Sequence, residues 1–124
     1  MSVGFDMTTI ARYENFKMYS VHTLSRIFSE SELGYCLADK QKSAQRFAVR
    51  FAAKEAFYKA LVSSGRLQKT PSFFHVCRAF SLVVQSGLHA IVDWKSLVVD
   101  PVSVSLSVSH EKGLAGAVVL LSWV

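Results

Sequence analysis

The clearest periodicity lies late in the chain, where aliphatic residues and serines alternate without a break from Val102 to Ser109. Val102, Val104, Leu106 and Val108 take one face of an extended strand and four serines take the other, the pattern of a half-buried strand. His110-Glu111-Lys112-Gly113 reads as the turn that follows, and Ala115 to Val124 as a more buried return strand. Upstream, Phe73 to Val84 is rich in β-branched and aromatic residues and reads as a strand. Gln85-Ser86-Gly87 turns it and Leu88 to Trp94 is its return. The first half has a different period. Ser43 to Ser64 lacks proline and glycine and is rich in Ala, Lys, Arg, Glu and Leu, so it predicts a long helix that Gly65 ends in the left-handed conformation. Phe47, Ala48, Phe51 and Ala52 recur at helical spacing as its buried face, and so many apolar positions imply a helix mostly enclosed. Ser29-Glu30-Ser31-Glu32 has the spacing of a capping box and predicts a short helix through Leu33 and Leu37. Ser2 to Met7 reads as a short strand and Thr8 to about Tyr19 as a helix. Helices first and an antiparallel sheet later predict an α+β fold with a long central helix packed on the sheet.

The length of 124 residues suits one domain spanning the chain. Apolar residues make up 51% and charged residues 19%, a balance that folds and argues against intrinsic disorder. No apolar stretch approaches the ~20 residues of a membrane helix. The first six residues lack a basic start followed by an apolar core, so a secretory signal is not expected. Cys36 and Cys77 lie far apart without metal-ligand spacing and read as small buried thiols, reduced in a cytoplasmic protein. The net charge of +5 calls for an anionic partner: a nucleic acid, a phosphorylated cofactor or an acidic protein.

Few residues stand out as chemistry. Asp6 follows a short apolar run and reads either as a helix N-cap or turn aspartate or as a carboxylate ligand for a hard cation. Glu55 sits in the apolar helix, either paired with Lys59 at i,i+4 or sharing Mg²⁺ with Asp6, with Lys59 one turn away to meet phosphate. Arg46, Arg50 and Lys54 form an i,i+4,i+8 basic row, either a solvated face or a contact for phosphate or an acidic protein. His110 ends the serine-faced strand, where it is a turn residue or a donor to an anion. His22, His75 and His89 show no metal-binding spacing.

Taken in order these residues form a pattern. Asp6 closes an apolar strand and Arg12 follows six residues on. The helix reads Arg-Phe-Ala-Ala-Lys-Glu-Ala-x-x-Lys-Ala from Arg50 to Ala60, and the late strand reads Val-Ser-Leu-Ser-Val-Ser-His from Val104 to His110. This resembles the 4'-phosphopantetheinyl transferase superfamily, in its short holo-acyl-carrier-protein synthase type, over nearly the whole chain. The resemblance implies transfer of the 4'-phosphopantetheine arm of coenzyme A to a serine of apo acyl-carrier protein, with Mg²⁺ as cofactor and adenosine 3',5'-bisphosphate released, in the service of fatty acid biosynthesis. It implies that Asp6 and Glu55 hold the metal, that Lys59 contacts coenzyme A phosphates, and that Arg50, His110 and the loop at Gly65 belong to the nucleotide site. Asp6, Glu55 and Lys59 form its catalytic set, and the serine proton goes to Glu55 or to a water on the metal. Arg12, Arg26 and Lys42 match positions facing the acidic carrier. Larger members of the superfamily have two similar halves, so a chain of this size resembles one half and implies a homotrimer with sites between copies. The sequence departs from the family in having a single glycine in Leu61-Val62-Ser63-Ser64-Gly65-Arg66, Gln85-Ser86-Gly87-Leu88 at the hairpin turn, and only Gly4 before the aspartate. Two other readings of the chain are a catalytically inactive relative that only binds carrier protein and a small basic nucleic-acid-binding domain.

Overall fold

Three antiparallel strands carry the long helix of this computed structural model, which describes residues 1–123. The strands are β1 (Ser2–Thr9), β4 (Ser103–Glu111) and β5 (Leu114–Ser122), in the order β1-β5-β4. The helix, α3 (Ser43–Ser63), packs across β1 and β5. A separate hairpin of β2 (Phe80–Val84) and β3 (Leu88–Val92) stands beside it. Three shorter helices precede this hairpin, α1 (Val21–Leu24), α2 (Glu30–Leu37) and α4 (Phe73–Ala79), and α5 (Trp94–Leu97) follows it. The architecture is the expected α+β arrangement. No helix among the described residues is long and apolar enough to cross a membrane.

Small side chains bring β1 and α3 together. Ala48, Ala52, Ala56 and Ala60 recur every four residues on α3 and are fully buried. Gly4 of β1 faces them so closely that a Cβ there would stand 1.8 Å from the Ala56 carbonyl oxygen. Ser2 donates to the Ala60 carbonyl and locks the same contact. As a result the polar and small parity of β1 (Ser2, Gly4, Asp6, Thr8) faces the helix, while Val3, Phe5 and Met7 point outward and are more than half exposed.

The capping box forms as expected. Ser29 Oγ accepts from the Glu32 backbone N–H and a Glu32 carboxylate oxygen accepts from the Ser29 N–H. Gly65 takes the left-handed conformation, φ 72°, just past α3. Lys112 and Gly113, both at positive φ, form a two-residue turn suited to a twisted hairpin.

Other expectations are corrected. The region from Thr8 to Tyr19 is not one helix. β1 runs on to Thr9, and two 3₁₀ turns follow at Ile10–Tyr13 and Phe16–Met18. Pairing with β5 through Thr9↔Leu114 outweighs helix formation there, and Tyr13 is pulled into the core instead. Phe73–Ala79 is helical rather than extended, because Ser72 caps it by accepting from the His75 N–H. Only Phe80–Val84 is a strand. The return strand ends at Val92, and Asp93 caps α5 by accepting from the Ser96 N–H. His110 and Glu111 belong to β4 rather than to the turn. Val124, the last residue of the expected return strand, lies outside the described residues.

Candidate functional site

Asp6 and Glu55 meet because Gly4 lets β1 sit against α3. Asp6 lies inside the strand, paired opposite Ala117, so the N-cap reading does not apply. Lys59 Nζ donates to Asp6 Oδ1 at 3.0 Å and to the Phe5 carbonyl at 3.1 Å. The cation one turn beyond Glu55 is thus held by the strand, and the expected Glu55–Lys59 pair is absent from the ion pairs of the described residues. Glu55 is half-buried. Its carboxyl is raised above the usual range by burial first and by Asp6 next, while Lys59 and Arg12 pull it down. Arg12 comes from the first 3₁₀ turn, where it donates to Thr8 Oγ1 at 3.4 Å. Strand, turn and helix therefore place two carboxylates and two cations around one point.

The donor chemistry fits Mg²⁺. Asp6 stands close enough to raise the proton affinity of Glu55, a charge repulsion that a divalent cation relieves. Mg²⁺ commonly takes only one or two protein carboxylates, with phosphate and water oxygens completing its shell. Among the described residues no cluster of three or more His, Cys, Asp or Glu forms, so a site closed by protein ligands alone is not present.

His110 and Arg50 lie elsewhere. The ring Nε2 of His110 is 2.9 Å from the side-chain nitrogen of Gln45, near the start of α3. From Gln45 to Glu55 the helix rises about 15 Å. Arg50 is buried against Tyr35 of α2, its guanidinium carbon 4.4 Å from the ring centroid. Gly65 lies exposed beyond the other end of α3.

The basic row is not a solvated face. Lys54 is fully buried and pairs with Glu32 at 2.8 Å, donating also to the carbonyls of Cys77 and Phe80. Burial pushes its pKa down despite Glu32. This ion pair ties α3 to α2, α4 and β2, and Lys54 meets neither phosphate nor an outside protein. Both cysteines are buried and free, as expected, and burial pushes each thiol up to about 12.

Of the residues expected to meet a carrier, Arg12, Arg26 and Lys42 are all exposed. Arg26 lies 5.2 Å from the ring centroid of the exposed Phe74, and Met18, Tyr19 and Val21 are exposed nearby in sequence. Sequence reasoning missed this apolar company, although the run Met18-Tyr19 just before the α1 cap was the visible signal. It also missed the outer face of the sheet. There Phe5, Met7, Leu114 and Val118, with Ser107, line a concavity of about 490 Å³ on the side away from Asp6. The signal was the parity of β1, whose apolar residues alternate with small and polar ones.

Comparison with known proteins bears on the family and the fold. A family model described as the 4'-phosphopantetheinyl transferase superfamily matches residues 2–111. The holo-[acyl-carrier-protein] synthase of Geobacter sp. (strain M21) is 38% identical, covering 95% of this chain and 94% of its own. A holo-(acyl-carrier-protein) synthase from Bacillus anthracis, solved in complex with CoA (3',5'-ADP), superposes with a TM-score of 0.71 at 28% identity, covering 97% of this chain and 94% of its own. The ACPS–CoA complex of Chronobacterium ammoniagenes shares the fold with a TM-score of 0.78 at 24% identity, covering 98% and 96%. The family match over most of the chain, the curated relative above one-third identity and the shared fold together show that this chain belongs to the 4'-phosphopantetheinyl transferase superfamily, as an enzyme of the holo-[acyl-carrier-protein] synthase type.

Proposed function

We propose that this chain moves the 4'-phosphopantetheine arm of coenzyme A onto a serine of an apo acyl-carrier protein, with Mg²⁺, in the cytoplasm and for fatty acid biosynthesis. The observation that carries the reading is the meeting of Asp6, Glu55, Lys59 and Arg12 where β1 crosses α3. In the reaction the serine oxygen bonds to the β-phosphorus of the pyrophosphate. The bond from that phosphorus to the bridging oxygen breaks, and adenosine 3',5'-bisphosphate leaves. Asp6 and Glu55 would hold Mg²⁺, which when bound would supply positive charge to the pyrophosphate and its departing oxygen. Lys59, anchored by Asp6 and the Phe5 carbonyl, presents its remaining donor to a phosphate oxygen. The serine proton would go to Glu55 or to a water beside the metal.

The carrier is acidic in this reading. Exposed Arg12, Arg26 and Lys42 steer it, and Phe74 beside Arg26 gives it an apolar foothold. His110 and Arg50 serve the nucleotide, although His110 stands far along α3 from Glu55. A second copy reconciles this distance with one site. Val3, Phe5, Met7, Leu114 and Val118 leave an apolar outer face on the sheet, which a homotrimer covers while bringing His110 of one copy towards Glu55 of the next.

The test is intact mass spectrometry of an apo acyl-carrier protein incubated with the enzyme, coenzyme A and Mg²⁺. A gain of one phosphopantetheine, lost when EDTA is added, is the expected result. No gain with several carriers, together with no binding of coenzyme A, overturns the proposal.

A further inference from the structure

Arg12 is exposed and in no ion pair of the described residues, yet its direction is not left to solvent. Its Nη1 donates to Thr8 Oγ1 at 3.4 Å, and its guanidinium carbon stands 5.8 Å from the ring centroid of Tyr13. Thr8 and Tyr13 are themselves buried, at 6% and 2% exposure, and their hydroxyl oxygens are 3.0 Å apart. The three residues come from β1 and from the 3₁₀ turn that follows it.

Packing accounts for the Tyr13 ring but not for its hydroxyl. Phe16 meets the ring edge-on at 4.8 Å, and Phe51 of α3 lies 5.7 Å away. Phenylalanine would fill the same space. The hydroxyl finds Thr8 as its partner among the described residues. Burial raises the phenol above its usual value, so it keeps its proton at neutral pH. A threonine on a strand has more than one staggered χ1 well. The Tyr13 hydroxyl holds Thr8 in the well that aims Oγ1 at Arg12. A buried hydrogen bond of this kind adds little net stability; what it delivers is the direction of the arginine.

A long side chain that is free in water loses rotamer freedom when a partner takes hold of it. One tethered beforehand loses less. The tether uses Nη1 of Arg12 and leaves Nε and Nη2 for the paired oxygens of a carboxylate. We infer that Tyr13 and Thr8 are positioning residues, which act through Arg12 and fix its guanidinium for a carboxylate of the carrier protein before the carrier arrives. The inference rests on the proposed function, in which Arg12 faces an acidic carrier, and adds to it two buried residues that meet no substrate.

Steady-state transfer at saturating coenzyme A gives KM for the carrier. Tyr13→Phe removes one hydroxyl and keeps the ring. It raises that KM about three- to tenfold, the effect of ordering one long side chain in advance. Its kcat and its KM for coenzyme A stay at wild-type values. Thr8→Val behaves in the same way, and Thr8→Ser, which keeps the hydroxyl, stays close to wild type. In an Arg12→Ala background Tyr13→Phe has no further effect, since the residue it acts through is gone. An unchanged carrier KM in folded Tyr13→Phe and Thr8→Val overturns the inference. So does a loss of equal size with and without Arg12, the mark of a merely structural hydroxyl. If no carrier is modified, or if Arg12→Ala leaves the carrier KM as it was, the proposed function or its carrier surface fails on its own, and NMR decides the tether. The heteronuclear NOE of the Arg12 Nε–H is high in the wild type and falls in both Tyr13→Phe and Thr8→Val. A value already low in the wild type, or unchanged in the variants, overturns the inference.

Discussion

Glu55 and Lys59 share one face of α3, yet the lysine reaches across to Asp6, and this exchange of partners makes the pair useful. Lys59 takes only Oδ1 of Asp6, which leaves Oδ2 of Asp6 and the Glu55 carboxylate outside the ion pair and holds the cation at the site's edge. Glu55→Gln keeps shape and size but removes the negative charge. It is expected to reduce kcat/KM for transfer at least about a hundredfold, with an unchanged circular dichroism melt. Near-full activity would remove Glu55 from the mechanism. The cysteines make the opposite case of titratable groups set aside. Burial raises each thiol to about 12, so both stay protonated in the fold when an unfolded chain would ionise near pH 8.5. Above that pH the unfolded state binds fewer protons than the native one, so these groups make stability fall as pH rises from about 9 towards 12. Thiol titration is expected to find no reactive cysteine at pH 8 in the native protein and both after unfolding. A Cys36→Ala/Cys77→Ala variant should lose stability less steeply on the alkaline side.

At the level of elements, the approach of β1 to α3 is the dimension on which the site depends. A Cβ at position 4 collides with the Ala56 carbonyl, and backbone cannot move aside as a flexible side chain does. Gly4→Ala is expected to destabilise by ~1–3 kcal/mol, read from urea melts. Mg²⁺ affinity should weaken as well, because the strand that retreats carries Asp6. The buried Lys54–Glu32 pair makes a second joint. Lys54→Met leaves an uncompensated carboxylate and is expected to cost ~3–5 kcal/mol, while the double variant Glu32→Met/Lys54→Met loses much less. These joints also mark where the sequence was readable. The long helix, the capping box and the alternating strand were legible, since each is a local pattern with a period or a cap. The helix at Phe73–Ala79 was not, because its β-branched and aromatic composition is overridden by the Ser72 cap and by burial of Val76 and Cys77. The 3₁₀ turns at Ile10–Tyr13 and Phe16–Met18 were hidden for a similar reason, as they follow from a strand whose length is set by its partner β5. In the site, Asp6, Glu55 and Lys59 were legible through their motifs. The interment of Lys54 and Arg50 was not, because periodicity puts them on a stripe without saying that α2 and β2 cover it.

At the scale of the whole molecule, the question is how His110 and Glu55 serve one substrate when a single chain holds the His110 ring at Gln45, ten residues along α3 from Glu55. The exposed apolar face formed by Val3, Phe5, Met7, Leu114 and Val118 supplies an answer, because such a surface is costly to leave in water and covering it with identical copies repeats the site around an axis. Two experiments follow. Phe5→Glu places a charge at the centre of that face without touching Asp6 or α3. It is expected to shift the protein from trimer to monomer in analytical ultracentrifugation and to abolish transfer together with assembly. The second experiment separates assembly from catalysis. Glu55→Gln and His110→Ala are each expected to be inactive or nearly so alone. Mixed after dissociation and reassembled, they form trimers in which some interfaces join the intact Glu55 of one variant to the intact His110 of the other. Recovery of a substantial fraction of wild-type activity on mixing would then come only from sites shared between copies. If both variants assemble normally and the mixture stays inactive, each site is built within a single chain, and the apolar face has some other occupant.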